Sequence, residues 1–158
     1  MEKNLKAFLD MIAWSEGTAA IPGSDGGYMV MVGSTPSHPV LFHSYSDHPR
    51  TLNSRLNSTA AGRYQIIARN FDVYKRTLNL PDFGPDSQDK IALQLIKECK
   101  ATQTVLDGDI ETAIFQCRSR WASFTGAGAT LPDGRPQHTH KIEDLLNAYK
   151  NAGGTLAP

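Results

Sequence analysis

The chain has 158 residues, with 16 basic side chains balanced by 16 acidic ones and no net charge when histidine is neutral. This length suits one compact domain, and 40% apolar with 20% charged residues is typical of a globular rather than a disordered protein. The charge balance leaves no basic footprint for nucleic acid or an anionic membrane surface. We therefore expect no nucleic-acid partner.

The amino terminus lacks the features of a targeting segment. Charges interrupt its apolar residues too early for a signal-peptide core, and no later run approaches membrane-spanning length. We expect a protein made in the cytoplasm, without stable membrane insertion. Cys99 and Cys117 are too few for a disulfide framework or a complete zinc site. Cys117 lies on an apolar helical stripe, so we expect a buried free thiol.

The first segment, from about residue 3 to 15, is predicted to be a helix that Gly17 ends. Its apolar residues recur at helical spacing and form one main stripe and a second patch on roughly the opposite side. The stripe contains Leu5, Phe8, Leu9, Ile12 and Ala13, and the patch contains Ala7, Met11 and Trp14.

Residues 17–61 are rich in glycine and proline, and two short apolar runs, 28–32 and 40–42, could pair as a small hairpin. The rest of the chain again shows helical stripes. These are Tyr64, Ile67, Phe71, Tyr74 and Leu78; Ile91, Ala92, Leu95 and Cys99; Ile110, Ala113, Ile114, Cys117 and Trp121, with Asp109 as a cap; and Ile142, Leu145, Leu146 and Tyr149. The sequence predicts one domain, a helical body with a β-containing lobe at about 18–61 and a ligand cleft between them.

Glu16 is the most informative residue. At about 100° per residue it falls within roughly 20° of Leu5, so a carboxylate continues the apolar stripe. It also lies at the helix carboxyl end, where the dipole disfavours an anion. Partial burial and the dipole both favour a raised pKa, which suits a general acid. The alternative is that Glu16 turns outwards or pairs with a cation such as Arg63.

The segment 58–65 is a second candidate site, because its small residues allow a ligand close to the backbone. Ser58 and Thr59 could cap the next helix, while Tyr64 and Gln65 could offer a sugar a stacking face and an amide. The alternative is an ordinary helix entry with Tyr64 in the core. Residues 121–128 end a helix in a glycine-containing loop.

Two polar pairs receive structural interpretations. Asp47 and His48 could form a catalytic pair, but neighbouring residues seldom face the same way, so we expect both to stabilise their loop. His138 and His140 lack an evident third ligand, so we expect a solvated helix start rather than a metal site.

Several ordered stretches of this chain resemble the phage lambda type of endolysin, a lysozyme family. The matching stretches are 6–18, which includes Trp14-Ser15-Glu16-Gly17; 45–50, Tyr-Ser-Asp-His-Pro-Arg; 58–65; 87–89; 108–110; 121–123 with 126–128; and 152–155. Together they extend over nearly the whole chain, which makes the resemblance specific.

The resemblance implies an α+β, lysozyme-like fold, with a mainly helical lobe, a small β-hairpin lobe and the active-site cleft between them. It implies a lytic transglycosylase that cleaves the MurNAc-β-1,4-GlcNAc bond of peptidoglycan without a cofactor, with Glu16 as the catalytic acid. It places the sugar-binding residues at Tyr45, Ser58, Thr59, Tyr64, Gln65, Trp121 and Ser123. It also implies a monomer that acts in the periplasm after a holin releases it.

One departure from the family pattern concerns the β-lobe. Relatives carry an acidic residue directly after a Gly-Tyr pair, where this chain has Met29 after Gly27 and Tyr28. Two alternatives to a transglycosylase therefore stay open. One is a hydrolytic muramidase of goose-type lysozyme character, in which Asp47 or Asp25 orients water, and the other is an inactive glycan-binding module.

Overall fold

The computed structural model describes residues 1–128 and 138–158. In these ranges the helices are α1 (Lys3–Glu16), α2 (Ala68–Thr77), α3 (Pro85–Glu98), α4 (Thr102–Leu106), α5 (Ile110–Cys117) and α6 (Ile142–Asn151). None of the helices in the described ranges combines the length and apolarity that crossing a membrane requires. The chain divides into two compact units, one made of residues 1–15 and 93–158 and the other of residues 16–92.

The first unit is helical and has an aromatic and aliphatic core. Helix α1 confirms the helix predicted at the amino terminus, and it buries residues on more than one side, with Phe8 and Ile12 fully inaccessible. The ring of Phe8 meets Phe124 edge-on at 6.2 Å between centroids, and Trp121 packs against Phe124 at 5.8 Å. Trp14, predicted within an apolar patch, is 43% exposed instead.

The second unit contains α2, the first part of α3 and a segment of turns joined by single antiparallel bridges. Residues 28–32 and 40–42 pair through the bridge between Val30 and Leu41, and the Met31 amide donates to the Val40 carbonyl at 2.8 Å. A further bridge joins Met31 to Ala61. In the described part of the chain, β pairing consists only of such isolated bridges, because turns interrupt the extended segments after a few residues.

The region before α2 differs from the sequence prediction. Tyr64 and Ile67 fit a helical stripe, but α2 begins only at Ala68. Residues 61 and 66 instead form an antiparallel bridge around a tight turn in which Gln65 has a φ of 54°. The turn therefore takes the place of the first helical turn that we expected.

Candidate functional site

Glu16 is the last residue of α1 and is partly exposed. Gly17 follows with a φ of 75°, a left-handed conformation that glycine adopts without steric cost and that ends the helix as predicted. Thr18 is 1% exposed, and its hydroxyl donates to the Arg63 carbonyl at 2.6 Å. The chain is thus anchored two residues beyond Glu16.

The last turn of α1 is also held within the first unit. The Ser15 and Ser123 hydroxyls are 2.6 Å apart, and His140 Nε2 lies 2.9 Å from the Ser15 carbonyl oxygen. The His140 ring stacks on Trp14 at 4.5 Å. The expectation of a solvated helix start was therefore wrong for His140, because it contacts the carbonyl that α1 leaves unpaired at its end.

Ser123 and Trp121, both predicted to bind sugar, are 7% and 2% exposed. Their side chains pack inside the first unit. The Ser123 hydroxyl supports Ser15 directly, and its carbonyl accepts the amide of His140 at 3.0 Å. Ser123 therefore helps to position the residue that precedes Glu16.

Arg63 is the centre of a polar and aromatic cluster in the second unit. Its Nε donates to the Gly26 carbonyl at 2.9 Å, and its guanidinium lies 5.5 Å from the centre of the Tyr28 ring. Another guanidinium nitrogen donates to the Tyr64 hydroxyl at 3.2 Å. Arg63 thereby links the turn after Glu16 with the glycine turn at 26–27.

Tyr64 is 2% exposed, so its ring does not offer the stacking face that the sequence suggested. Its hydroxyl donates to Asp89 Oδ1 at 2.6 Å, and the Tyr28 hydroxyl donates to the same oxygen at 2.8 Å. Burial, followed by the hydrogen bond to Asp89, raises the pKa of Tyr64 well above its usual value. Tyr64 therefore stays a neutral donor that fixes the cluster.

Gln88, which the sequence analysis did not select as a site residue, holds three segments together. The residue is fully buried. Its Oε1 accepts the Arg63 amide at 2.9 Å, and its Nε2 donates to the carbonyls of Tyr28 at 3.1 Å and Phe83 at 2.8 Å. A Cβ atom at Gly62 would lie 2.3 Å from Gln88 Oε1, so glycine is required there for this contact.

The residues of segment 58–65 have separate structural roles. Thr59 Oγ1 accepts the Ala68 amide at 2.9 Å, so Thr59 caps α2 across nine positions, and Ser58 Oγ accepts the Ala60 amide at 3.1 Å. The side-chain amide of Gln65 donates through Nε2 to the Gly62 carbonyl at 2.9 Å. All three predicted residues, Ser58, Thr59 and Gln65, remain partly exposed.

Tyr45 and Asp25 form a surface pair in the same unit. The Tyr45 hydroxyl donates to Asp25 Oδ2 at 2.6 Å, and the tyrosine is partly exposed. Burial, together with the adjacent carboxylate, raises the pKa of Tyr45. Gly27, two residues after Asp25, packs tightly on Thr18. A Cβ atom at Gly27 would lie only 3.0 Å from the Thr18 carbonyl carbon. Asp25 is therefore a carboxylate on the turn that contacts the chain just beyond Glu16.

Asp47 and His48 stabilise their loop, which confirms the structural interpretation of this pair. His48 is 2% exposed; its Nδ1 accepts the Arg50 amide at 2.9 Å, so Nε2 carries the proton and donates to the Ile66 carbonyl at 2.8 Å. Asp47 pairs with Arg50 at 3.1 Å, and the hydrogen bond from Arg50 lowers its pKa. The two side chains point to different partners and form no catalytic pair.

The protonation of His48 should make stability depend on pH. Burial lowers the pKa of His48 below its ordinary value of 6.5, so below that pH the unfolded chain binds more protons than the folded chain. The stabilisation that neutral His48 provides is complete above about pH 6.5 and is lost as pH falls towards the folded-state pKa.

We expect urea unfolding to show a lower free energy of unfolding at pH 5.5 than at pH 7.5. His48→Phe, whose ring can still pack on Phe83, should reduce that difference. An NMR titration midpoint of His48 at or above 6.5 would contradict this.

Within residues 1–128 and 138–158, no group of three or more His, Cys, Asp or Glu side chains is arranged to hold a metal ion. The carboxyl, hydroxyl and amide groups described above are suited to hydrogen bonding and proton transfer.

Comparison with known proteins decides the family. The endolysin family model matches residues 6–156. The chain belongs to the endolysin family. It is 48% identical to the endolysin of Escherichia phage lambda over 96% of this chain and 92% of the relative, and 43% identical to that of Escherichia phage P2 over 98% and 96%.

Solved structures agree with this assignment. The chain matches a structure of bacteriophage lambda lysozyme complexed with a chitohexasaccharide, with a TM-score of 0.88, 46% identity and coverage of 99% of this chain and 97% of that one. A second structure of lambda lysozyme matches with a TM-score of 0.84 at 45% identity over the same shares. This endolysin thus has a lysozyme-like fold and is a peptidoglycan-degrading enzyme.

Proposed function

We propose that this endolysin is a lytic transglycosylase that cleaves the MurNAc-β-1,4-GlcNAc bond of peptidoglycan, with Glu16 as general acid and then base. The observation that carries the proposal is the carboxyl group of Glu16, partly exposed at the end of α1 and followed by the anchored Thr18. A proton donor must reach a ligand and keep its position, and a partly exposed carboxyl group at an anchored helix end supports this role.

The chemistry needs one carboxyl group from the protein. Protonated Glu16 donates its proton to the leaving oxygen of N-acetylglucosamine, and the 2-acetamido group of the muramic acid stabilises the positive charge at C1. Glu16, now ionised, removes the proton from the C6 hydroxyl of the same muramic acid as that oxygen attacks C1. The product is a 1,6-anhydro sugar, and Glu16 ends protonated for the next turnover.

Partly exposed polar and aromatic residues of the unit that contains Glu16 support glycan binding. Gln65 offers an amide, Ser58 and Thr59 offer hydroxyls, and Tyr45 offers a partly exposed ring beside Asp25. A chitohexasaccharide, a polymer of N-acetylglucosamine, is bound in the lambda lysozyme structure to which this chain is similar. We propose that Tyr45, Ser58, Thr59 and Gln65 contact the glycan and that Tyr64 positions Arg63. Direct contacts of Trp121 and Ser123 with the glycan stay predictions.

The identity of residue 29 agrees with a single-carboxylate reaction. Met29 cannot accept a proton or orient water, and its amide donates to the Ser24 carbonyl at 3.0 Å. Of the two acids considered for a hydrolase, Asp47 is paired with Arg50, whereas Asp25 lies on the turn that packs on Thr18. Asp25 is therefore the residue that a hydrolytic mechanism would use.

The released muropeptides test the reaction type. Digestion of purified Gram-negative peptidoglycan should yield ends that weigh one water less than hydrolysed ends and that resist borohydride reduction. Mass spectrometry before and after reduction measures both properties. A majority of reducible ends would identify a hydrolase, and Asp25→Asn would then be expected to lose activity. Binding of peptidoglycan without any released product would support the inactive glycan-binding module.

We also propose that the protein is made in the host cytoplasm and reaches the periplasm when a holin permeabilises the inner membrane. The basis is the endolysin family to which the chain belongs. A monomeric state is likewise a prediction.

A further inference from the structure

Cys99 and Cys117 lie at the ends of two helices in the same unit. Cys99 follows the last residue of α3, and its amide donates to the Leu95 carbonyl at 3.0 Å, so it continues the helical turn. Cys117 is the last residue of α5 and is fully buried. The ends of both helices are joined by an ion pair between Glu98 and Arg120 at 3.1 Å.

The two thiols are close neighbours. Their side chains are within hydrogen-bonding reach of one another, and both are free. The prediction of a buried free thiol at Cys117 is confirmed, but the sequence did not indicate that the second cysteine of the chain would be its neighbour. Two cysteines placed together by the fold, 18 positions apart in the sequence (117 − 99), have the proximity that disulfide formation requires.

We propose that Cys99 and Cys117 are a redox pair that forms an intramolecular disulfide in an oxidising compartment. The link would join the end of α3 to the end of α5 and enclose residues 100–116. Under the proposed route from cytoplasm to periplasm, the chain would be made with two thiols and would act with the bond formed. The enzyme would thereby become more stable in the compartment that holds its substrate.

The exposure of the two residues sets the order of the reaction. Cys99 is partly exposed, so its thiolate attacks an external disulfide and releases one thiolate of that oxidant. The Cys117 thiolate then attacks the sulfur of Cys99 and expels the second thiolate. Two thiols are oxidised to one disulfide, and their two protons pass to the two expelled thiolates, so that the external disulfide is reduced to two thiols.

The surroundings of Cys117 make the second step slow but leave it possible. Burial, followed by the nearby Cys99, raises the pKa of Cys117, and the cation of Arg120 opposes this rise. The thiolate is therefore rare at neutral pH, and its proximity to the mixed disulfide compensates for its low population. The rate of closure should consequently increase as pH rises from 7 to 9.

To test for this disulfide, the purified full-length protein is incubated with oxidised glutathione and then alkylated in denaturant. Intact mass should show a species two mass units lighter that takes up no alkyl group, and peptide mapping should join Cys99 to Cys117. The Tm of this species should exceed that of the reduced protein by roughly 5–10 °C. Reduction with dithiothreitol should reverse both changes.

Matched variants separate this pair from unspecific oxidation. Cys99→Ser should remove both the mass change and the Tm difference between oxidised and reduced samples. Cys117→Ala, which leaves only the partly exposed thiol of Cys99, should do the same. A lasting glutathione adduct on Cys99 with Cys117 still alkylatable would overturn the proposal. Dimers linked through Cys99, or a crosslink that lowers Tm, would overturn it as well. None of these outcomes depends on whether the enzyme is a transglycosylase.

Discussion

Glu16→Gln should reduce the lysis of permeabilised Gram-negative cells by roughly 100- to 10,000-fold, the usual contribution of a general acid and base. The amide has the size of the carboxylic acid and can hydrogen-bond to a sugar, but it cannot donate a proton to the leaving oxygen. The change keeps the size and shape of the side chain at the end of α1, so folding should be little affected. Turbidity loss measures the activity, and thermal unfolding checks the fold.

Glu16→Asp is the informative companion variant. It keeps the carboxyl group but withdraws it by one methylene, and a misplacement of about 1 Å can cost roughly 100-fold in rate. Its activity should therefore fall between those of the wild type and Glu16→Gln. Glu111→Gln, which removes an exposed carboxylate from the first turn of α5, serves as the matched control and should retain wild-type activity. Near-normal lysis by Glu16→Gln with an unchanged fold would remove the central assignment.

Effects on binding distinguish a catalytic role from a structural one. Because Glu16→Gln retains the shape of the side chain, it should still sediment with insoluble peptidoglycan at wild-type affinity within about 1 kcal/mol. A loss of binding that equals the loss of activity would indicate that Glu16 holds the glycan rather than transferring a proton. The two readings thus predict different results for the same variant.

Periodicity was sufficient to predict α1 and its end. The apolar stripe, Gly17 and the position of Glu16 on the stripe are all local features of the sequence, and the structure places the helix end where they indicate. Periodicity failed before α2. Tyr64 is buried at helical spacing from Phe71, yet it belongs to a turn, because a bridge between residues 61 and 66 competes with the first helical turn.

Polar residues that act at long range were harder to recognise. Asp89 accepts bonds from Tyr28 and Tyr64, which are 61 and 25 positions away, and nothing in the local sequence relates them. The position of Gln88 in the sequence did indicate a buried polar residue. It lies three, four and seven positions before Ile91, Ala92 and Leu95, so an amide occupies the apolar stripe of α3, as Glu16 does on α1. A polar residue on such a stripe needs buried partners.

Gln88→Ala should lower the free energy of unfolding by about 2–4 kcal/mol, which corresponds to a fall in Tm of roughly 5–12 °C. The substitution leaves the Arg63 amide and the carbonyls of Tyr28 and Phe83 without their partners in a buried site. Leaving buried polar groups unpaired costs more than the bonds themselves contribute. Urea unfolding and calorimetry measure the loss, and Gln94→Ala on the more accessible part of α3 is the matched control, with an expected loss of about 0.5 kcal/mol or less.

Gln88→Glu tests whether the donor face of the amide is the important one. The carboxylate can still accept the Arg63 amide, but in its ionised form it faces two carbonyl oxygens without a proton to donate. Burial and this repulsion favour the protonated acid in the folded state, so the folded-state pKa should exceed the unfolded value near 4.3. Stability should therefore fall as pH rises above about 4.3, whereas the effect of Gln88→Ala relative to the wild type should not vary with pH in this way. Equal losses for Gln88→Glu and Gln88→Ala at every pH would mean that space filling, rather than hydrogen bonding to Tyr28 and Phe83, keeps this glutamine in the core.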